Sequence, residues 1–135
     1  MTMNDMDLVF PQVDPGLAPL GSRVLVQIRL PKRKVGSIIV PDQVKDTDAD
    51  NMQTAKVVSI GPAAFRNRDT LALWPEGEWV TPGEFVRVPK YAGDRFSVPH
   101  PAPDEPGEKV IFAIFNDLDL TARFTGDPLQ HRAYL

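Results

Sequence analysis

The chain has 135 residues, a formal net charge of −3 and no cysteine. These values exclude disulfides and thiolate metal sites, disfavour nucleic acid as a partner, and fit one intracellular domain. No apolar run is long enough to span a bilayer, and no basic residue precedes Arg23, which is not the pattern of a signal peptide. Fourteen prolines favour short strands joined by fixed turns over long helices.

Residues 1–18 have no hydrophobic period and predict an N-terminal arm, which is either disordered or packed on a neighbouring copy. Residues 23–30 alternate, which predicts a half-buried strand. One face of this strand would carry Val24, Val26, Ile28 and Leu30, and the other Arg23, Leu25, Gln27 and Arg29.

Residues 31–54 form a polar stretch that contains one aliphatic triplet, Ile38-Ile39-Val40. Its polar flanks cannot bury enough apolar surface to offset the entropy of ordering themselves, so we predict a mobile loop. On such a loop the triplet would find its apolar pocket on another protein. The alternative is that the triplet is an ordinary core strand.

Further strands are predicted at residues 55–60, 85–88, 95–98 and 109–115. A hairpin is expected within residues 63–81, with strands at 70–74 and 78–81 around a Pro-Glu-Gly turn. Residues 99–107 read as a proline-rich connector, and the strand at 109–115 should be buried on both faces. A last strand would place Leu118, Leu120, Ala122 and Phe124 on one face, before a tail at 126–135. Many short strands indicate an all-β barrel or sandwich.

No catalytic or metal-binding constellation is visible, so we expect neither an enzyme nor a bound cofactor. His100 lies between prolines and His131 in the tail, and both are expected to be solvated. The alternating Asp46, Asp48 and Asp50 lack the glycine and the terminal glutamate of a calcium loop.

Five motifs lie in register along roughly residues 19–124. They are Pro-Leu-Gly-Ser-Arg-Val-Leu-Val from residue 19, Gly-Ser-Ile-Ile-Val-Pro from 36, Lys-Val-Val-Ser-Ile-Gly-Pro from 56, Thr-Pro-Gly-Glu-Phe-Val from 81, and Lys-Tyr-Ala-Gly from 90. In this order and at these spacings they resemble the GroES-like co-chaperonins. The resemblance implies an all-β fold, a GroES-like small β-barrel over residues 19–125. It would have a mobile loop at 31–54, a roof hairpin at 63–81, an arm at 1–18 and a tail at 126–135.

The resemblance also implies a function, that of a cytoplasmic lid which caps a GroEL-type chaperonin around a folding substrate protein. The partner chaperonin would bind ATP, and the lid itself would need no cofactor. Chaperonin binding would fall to Gly36, Ser37, Ile38, Ile39 and Val40. Tyr91 and Trp74 would face the cavity, with a packing role as the alternative for Trp74.

A homo-oligomeric ring, sevenfold in the family, is the second implication of the resemblance. The first strand of each subunit would pair with the last strand of its neighbour. This pairing would cover strand edges that otherwise promote aggregation. The interface would then include Leu20, Val24, Val26, Leu118, Leu120 and Ala122.

Other readings of the sequence stay open. The extensions and the proline-rich connector suggest a phage-encoded, divergent member that acts in the host cytoplasm on a bulky substrate. A viral capsid decoration protein would also be built of short strands and extended arms. An OB-like nucleic-acid binder would need a basic face with exposed aromatics, which the acidic balance disfavours.

Overall fold

Six antiparallel strands form one sheet in a computed structural model that describes residues 5–30, 53–103 and 106–130. The sheet has the order β4-β5-β1-β2-β3-β6, which confirms the all-β expectation. The elements are α1 (Asp5–Val9), β1 (Arg23–Ile28), β2 (Thr54–Ile60), β3 (Phe85–Arg87), β4 (Asp94–Pro99), β5 (Lys109–Asn116) and β6 (Ala122–Arg123), with 3-10 turns at Asp117–Asp119 and Pro128–Gln130. Within the described ranges no helix has the length and apolarity needed to cross a membrane.

The first strand lies at the centre of the sheet and is buried on both faces. β1 pairs with β2 along one edge, with a register shift between Leu25 and Val26, and with β5 along the other edge in regular register. Of its six residues only Arg23 is exposed, and the polar Gln27 is 5% exposed. The half-buried prediction was therefore wrong, because both sides of β1 are covered by core residues.

Two apolar clusters lie on opposite faces of β1 and β5. The larger cluster contains Val24, Val26, Ala113 and Phe115 together with side chains from β2, β3 and residues 64–80. The smaller cluster is built on four buried residues, Leu25, Leu30, Val110 and Phe112. Burying each large apolar side chain contributes about 1.5–3 kcal/mol to the free energy of unfolding, so the sheet is held from both sides.

Three predicted elements differ from the structure. Residues 70–74 and 78–81 form no strands, and an isolated bridge between Arg66 and Leu73 is the β-pairing found there. The predicted last strand is interrupted by the 3-10 turn, which leaves Leu118 63% exposed while Leu120 is 8% exposed. Ile111 on β5 is 36% exposed, so that strand is not fully covered on both faces.

The N-terminal segment packs on its own chain, so neither predicted alternative describes residues 5–11. Val9 and Phe10 are each 4% exposed, and the Phe10 ring lies 5.1 Å from the ring of Phe85. The Leu30 N–H donates to the Val9 carbonyl at 2.9 Å, and the Gln27 side-chain amide donates to the Pro11 carbonyl at 2.8 Å. The segment thus covers the end of β1.

His100 is buried, contrary to the expectation that it is solvated. It is 6% exposed, and its Nδ1 accepts a hydrogen bond from the Ala102 N–H at 2.9 Å. Its own N–H donates to the Glu108 carbonyl at 3.0 Å. His100 therefore closes the base of the connection between β4 and β5, whereas His131 lies outside the described residues.

Candidate partner-binding surfaces

The aliphatic triplet that was predicted to bind a partner lies outside the described residues. Gly36, Ser37, Ile38, Ile39 and Val40 are therefore known here from the sequence alone.

The described residues on either side of that segment are fixed and adjacent. The Arg29 N–H donates to the Thr54 carbonyl at 2.9 Å, and the Val88 N–H donates to the Gln53 carbonyl at 2.9 Å. The chain therefore leaves the sheet after Leu30 and returns at Gln53 from neighbouring positions, which places both ends of the segment at one point of the fold.

Three aromatic side chains pack together in the segment that was predicted as a roof hairpin. Trp74 lies 5.7 Å from Phe65 and 4.8 Å from Trp79 between ring centroids, and Phe65 lies 5.9 Å from Trp79. Phe65 is completely buried, whereas both tryptophans are partly exposed. Trp74, predicted to face a cavity, is thus engaged in packing the larger core cluster.

Asp117 anchors this aromatic segment to the end of β5. Its carboxylate is completely buried and accepts hydrogen bonds from the Phe65 N–H and from Arg68 Nη2, each at 2.8 Å. The Asp117 N–H in turn donates to the Ser22 carbonyl at 3.0 Å. The sequence carried no clear signal for this role, because the partners of Asp117 lie 52 and 49 residues before it in the chain.

A tight turn at residues 66–73 presents two leucines. The Asn67 side-chain oxygen accepts from the N–H groups of Asp69 and Thr70 at 2.8 and 3.1 Å, which fixes the turn. Leu71 has a positive φ of 62° and is 58% exposed, and Leu73 is 44% exposed. A leucine in the left-handed region is uncommon and costs backbone strain, so the surrounding hydrogen bonds are what hold it there.

Tyr91 projects from a second turn, at residues 89–93, and is 88% exposed. The Lys90 ammonium lies 5.4 Å from the centroid of its ring. The side chain of Arg95, on β4, donates to the carbonyls of Pro89, Lys90 and Ala92. Burial lowers the pKa of Arg95 from its ordinary value. Sequence reasoning selected Tyr91 but missed Arg95.

The six predicted interface residues fall into two groups. Leu20 is 73% exposed, Leu118 is 63% exposed and Ala122 is exposed. Leu120 is largely buried, and Val24 and Val26 are completely buried within the chain's own core. Both edges of β1 are already paired, so Val24 and Val26 have no free edge to offer a neighbouring copy. The available edges of the described sheet belong to β4 and β6.

The surface carboxylate of Glu84 contacts Thr81 and Arg123 but does not form a metal site with other described residues. Glu84 Oε1 accepts from the N–H and the hydroxyl of Thr81, each at 2.9 Å, and Oε2 lies 3.6 Å from Arg123. The backbone N–H of Thr81, then its hydroxyl, and more weakly Arg123, lower the pKa of Glu84. Over the ranges that the structure describes, no group of three or more histidine, cysteine, aspartate or glutamate side chains is arranged to hold a metal ion.

The chain was compared with models of known protein families. The family model Cpn10, described as the chaperonin 10 kDa subunit, matches residues 16–113, which is more than half of the chain. No curated protein matches the chain. The match includes the triplet, both tryptophans, Tyr91 and Arg95, but it leaves α1 and β6 outside.

Proposed function

Because this chain belongs to the Cpn10 family, the chaperonin 10 kDa subunits, we propose that it caps a GroEL-type chaperonin and encloses a substrate protein for folding. Members of the family are in general cytoplasmic co-chaperonins rather than enzymes, and act as oligomers with such a chaperonin. The family match over residues 16–113 carries the proposal. No feature of the described residues favours the capsid decoration reading.

We assign the contact with the chaperonin to Ile38, Ile39 and Val40, with Gly36 and Ser37 before them. Burial of each aliphatic side chain contributes about 1.5–3 kcal/mol to binding, whereas ordering each residue of the segment costs about 1–2 kcal/mol. A single copy of the triplet therefore binds weakly. Several copies on one ring bind tightly, because the first contact raises the effective concentration of the others.

Reversible capping follows from this balance. A change in the chaperonin that weakens each contact slightly is multiplied over the copies on the ring, so the nucleotide state of the chaperonin decides between capture and release. The lid itself needs no nucleotide, and the enclosed protein would meet the exposed Tyr91.

The deciding experiment mixes the protein with a GroEL-type chaperonin and ATP or ADP, and detects capped complexes by size-exclusion chromatography and negative-stain imaging. The wild type should form a nucleotide-dependent cap that Ile39→Asp abolishes. Val44→Asp, in the same segment but outside the triplet, is the matched control and should still cap. A folded oligomer that never caps its cognate chaperonin would disprove the proposal.

A further inference from the structure

A single arginine on β4 fixes the turn that precedes it. Arg95 Nη2 donates to the carbonyls of Pro89 and Lys90 at 3.1 and 3.0 Å, and its Nε donates to the Ala92 carbonyl at 3.3 Å. The guanidinium group is planar and presents its donors in a rigid fork, so three carbonyls held by one fork define the path of the backbone. Lysine has no such fork.

Phe115 supports the turn from below. The guanidinium carbon of Arg95 lies 5.9 Å from the centroid of the Phe115 ring. Gly93 has a φ of 90°, and a Cβ atom there would stand 2.7 Å from carbons of the same ring. The turn thus lies between the arginine and a completely buried aromatic residue of the larger cluster, and it contacts both.

Tyr91 is the residue that this turn presents. It lies between two of the held carbonyls, those of Lys90 and Ala92, yet its side chain is 88% exposed. A rigid aromatic side chain on an ordered backbone loses less conformational entropy on binding than one on a free turn. The arrangement therefore provides a preorganised contact point, in which the Lys90 ammonium lies over the Tyr91 ring.

We propose that Arg95 is a positioning residue, which acts by fixing the turn at residues 89–93 so that Tyr91 is preorganised to contact the enclosed substrate protein. The inference rests on the proposed function, which supplies the enclosed substrate protein that Tyr91 would contact. The effect of Arg95 on the turn concerns this chain alone and can be measured without any chaperonin. Arg95 does not touch the substrate; its effect passes through Tyr91.

The test is a double-mutant cycle with wild type, Arg95→Met, Tyr91→Ala and the double variant. Its readouts are capping affinity and the refolding rate of guanidine-denatured rhodanese under the cap. Capping should stay unchanged in all four proteins. Each single variant should slow refolding about twofold or more, and the double variant should be no slower than Tyr91→Ala, because coupled residues are not additive.

Amide hydrogen exchange at residues 90–93 supplies a second readout, which needs neither chaperonin nor substrate. Exchange should accelerate in Arg95→Met and in Arg95→Lys, since lysine keeps the charge but loses the fork. Arg23→Met, which removes an exposed arginine from another strand, should change neither exchange at the turn nor refolding.

Additive effects in the cycle, normal refolding with Arg95→Met or Tyr91→Ala, or unchanged exchange at the turn would each overturn the inference. Arg95→Lys keeps the test valid if Arg95→Met fails to fold. Failure of the proposed function is distinguishable, since wild-type protein would then not cap while the faster exchange in the Arg95 variants would persist.

Discussion

Asp117 shows how much of this fold depends on one carboxylate. It is completely buried at the junction of β5 with the 3-10 turn, where it accepts from the Phe65 N–H and from Arg68. Phe65 has a positive φ of 60° and packs against both tryptophans. Because a buried N–H without an acceptor is costly, Asp117 is what allows Phe65 to keep this strained backbone conformation.

We predict that Asp117→Ala lowers the free energy of unfolding by about 2–3 kcal/mol, because it leaves the Phe65 N–H buried without an acceptor and removes a charged hydrogen bond. The measurement is urea unfolding followed by tryptophan fluorescence. Asp117→Asn, which can still accept from Phe65, should lose less. Asp119→Ala is the matched control on an exposed neighbour, and equal stabilities of these two alanine variants would contradict the prediction.

Glu84 gives a prediction on pH. Its pKa in the folded protein is depressed below the ordinary value of 4.5, first by the Thr81 N–H and then by the Thr81 hydroxyl. A depressed carboxyl pKa stabilises the fold above the unfolded pKa, and that stability is lost as the pH falls through the folded pKa.

Thermal unfolding of wild type and Glu84→Gln between pH 7 and pH 3 tests this sign. The wild type should be slightly more stable at pH 7, and its advantage should shrink once the pH drops below about 4.5. Glu76→Gln, on an exposed turn residue, serves as the control substitution. An advantage of the same size at every pH would contradict the prediction.

At the scale of elements, the N-terminal segment is a structural part of the domain although the family match begins at residue 16. Phe10 packs on Phe85 of β3, and the Val9 carbonyl accepts from Leu30, the last described residue before the proposed binding segment. The segment therefore helps to fix one end of that binding segment.

We predict that Phe10→Ala destabilises the protein by about 3 kcal/mol, since it leaves a cavity at a side chain that is 4% exposed. Chemical denaturation measures the loss, and hydrogen exchange at the Leu30 amide should become faster. Leu17→Ala, at a leucine that is 45% exposed, is the control and should change stability by less than about 0.5 kcal/mol. A Phe10→Ala protein as stable as this control would show that the segment does not contribute.

The elements that the sequence predicted well are those with a local pattern. The central strands β1, β2 and β5 were predicted within two residues at each end, because alternation or continuous apolar character marks them. The N-terminal segment was missed because it packs through a few isolated contacts at Val9, Phe10 and Pro11, which have no period.

The misplaced elements depend on contacts between distant residues. Residues 70–74 do not pair with residues 78–81, because the segment is tied instead to Asp117, 52 residues after Phe65. Asp117 is also buried at the position where the last strand was expected to begin. A 3-10 turn at Asp117–Asp119 replaces the start of that strand, so Leu118 and Leu120 do not share one face. The Pro-Glu-Gly turn itself is present, with the Gly77 N–H donating to the Trp74 carbonyl at 2.8 Å. The aliphatic triplet could be recognised only as a motif, since its proposed role in binding depends on a partner protein.

At the scale of the whole molecule, the central position of β1 moves the expected contact with a neighbouring copy away from this strand. Its edges are taken by β2 and β5, so Val24 and Val26 cannot contribute to an interface between copies. Leu20 and Leu118 are both exposed, and the hydrogen bond from Asp117 to Ser22 brings their two turns together. We therefore propose that the contact between copies includes this pair of leucines.

We predict that the double variant Leu20→Asp, Leu118→Asp dissociates the oligomer, because two buried, unpaired charges at the contact oppose association. Analytical ultracentrifugation measures the oligomeric state, and circular dichroism should show an intact fold, since both side chains are exposed in the single chain. Leu71→Asp, at an exposed leucine in another turn, is the matched control and should leave the oligomer unchanged. An oligomer that survives the double variant would place the contact elsewhere.

The same variant tests whether the proposed capping requires an oligomer. The dissociated protein keeps Ile38, Ile39 and Val40, yet each copy must order its segment at a cost of about 1–2 kcal/mol per residue for only one set of buried side chains. We therefore expect it to lose detectable capping, whereas Leu71→Asp should cap normally. If the dissociated chain bound the chaperonin as tightly as the intact oligomer, a single triplet would suffice, and multivalency would not explain the affinity.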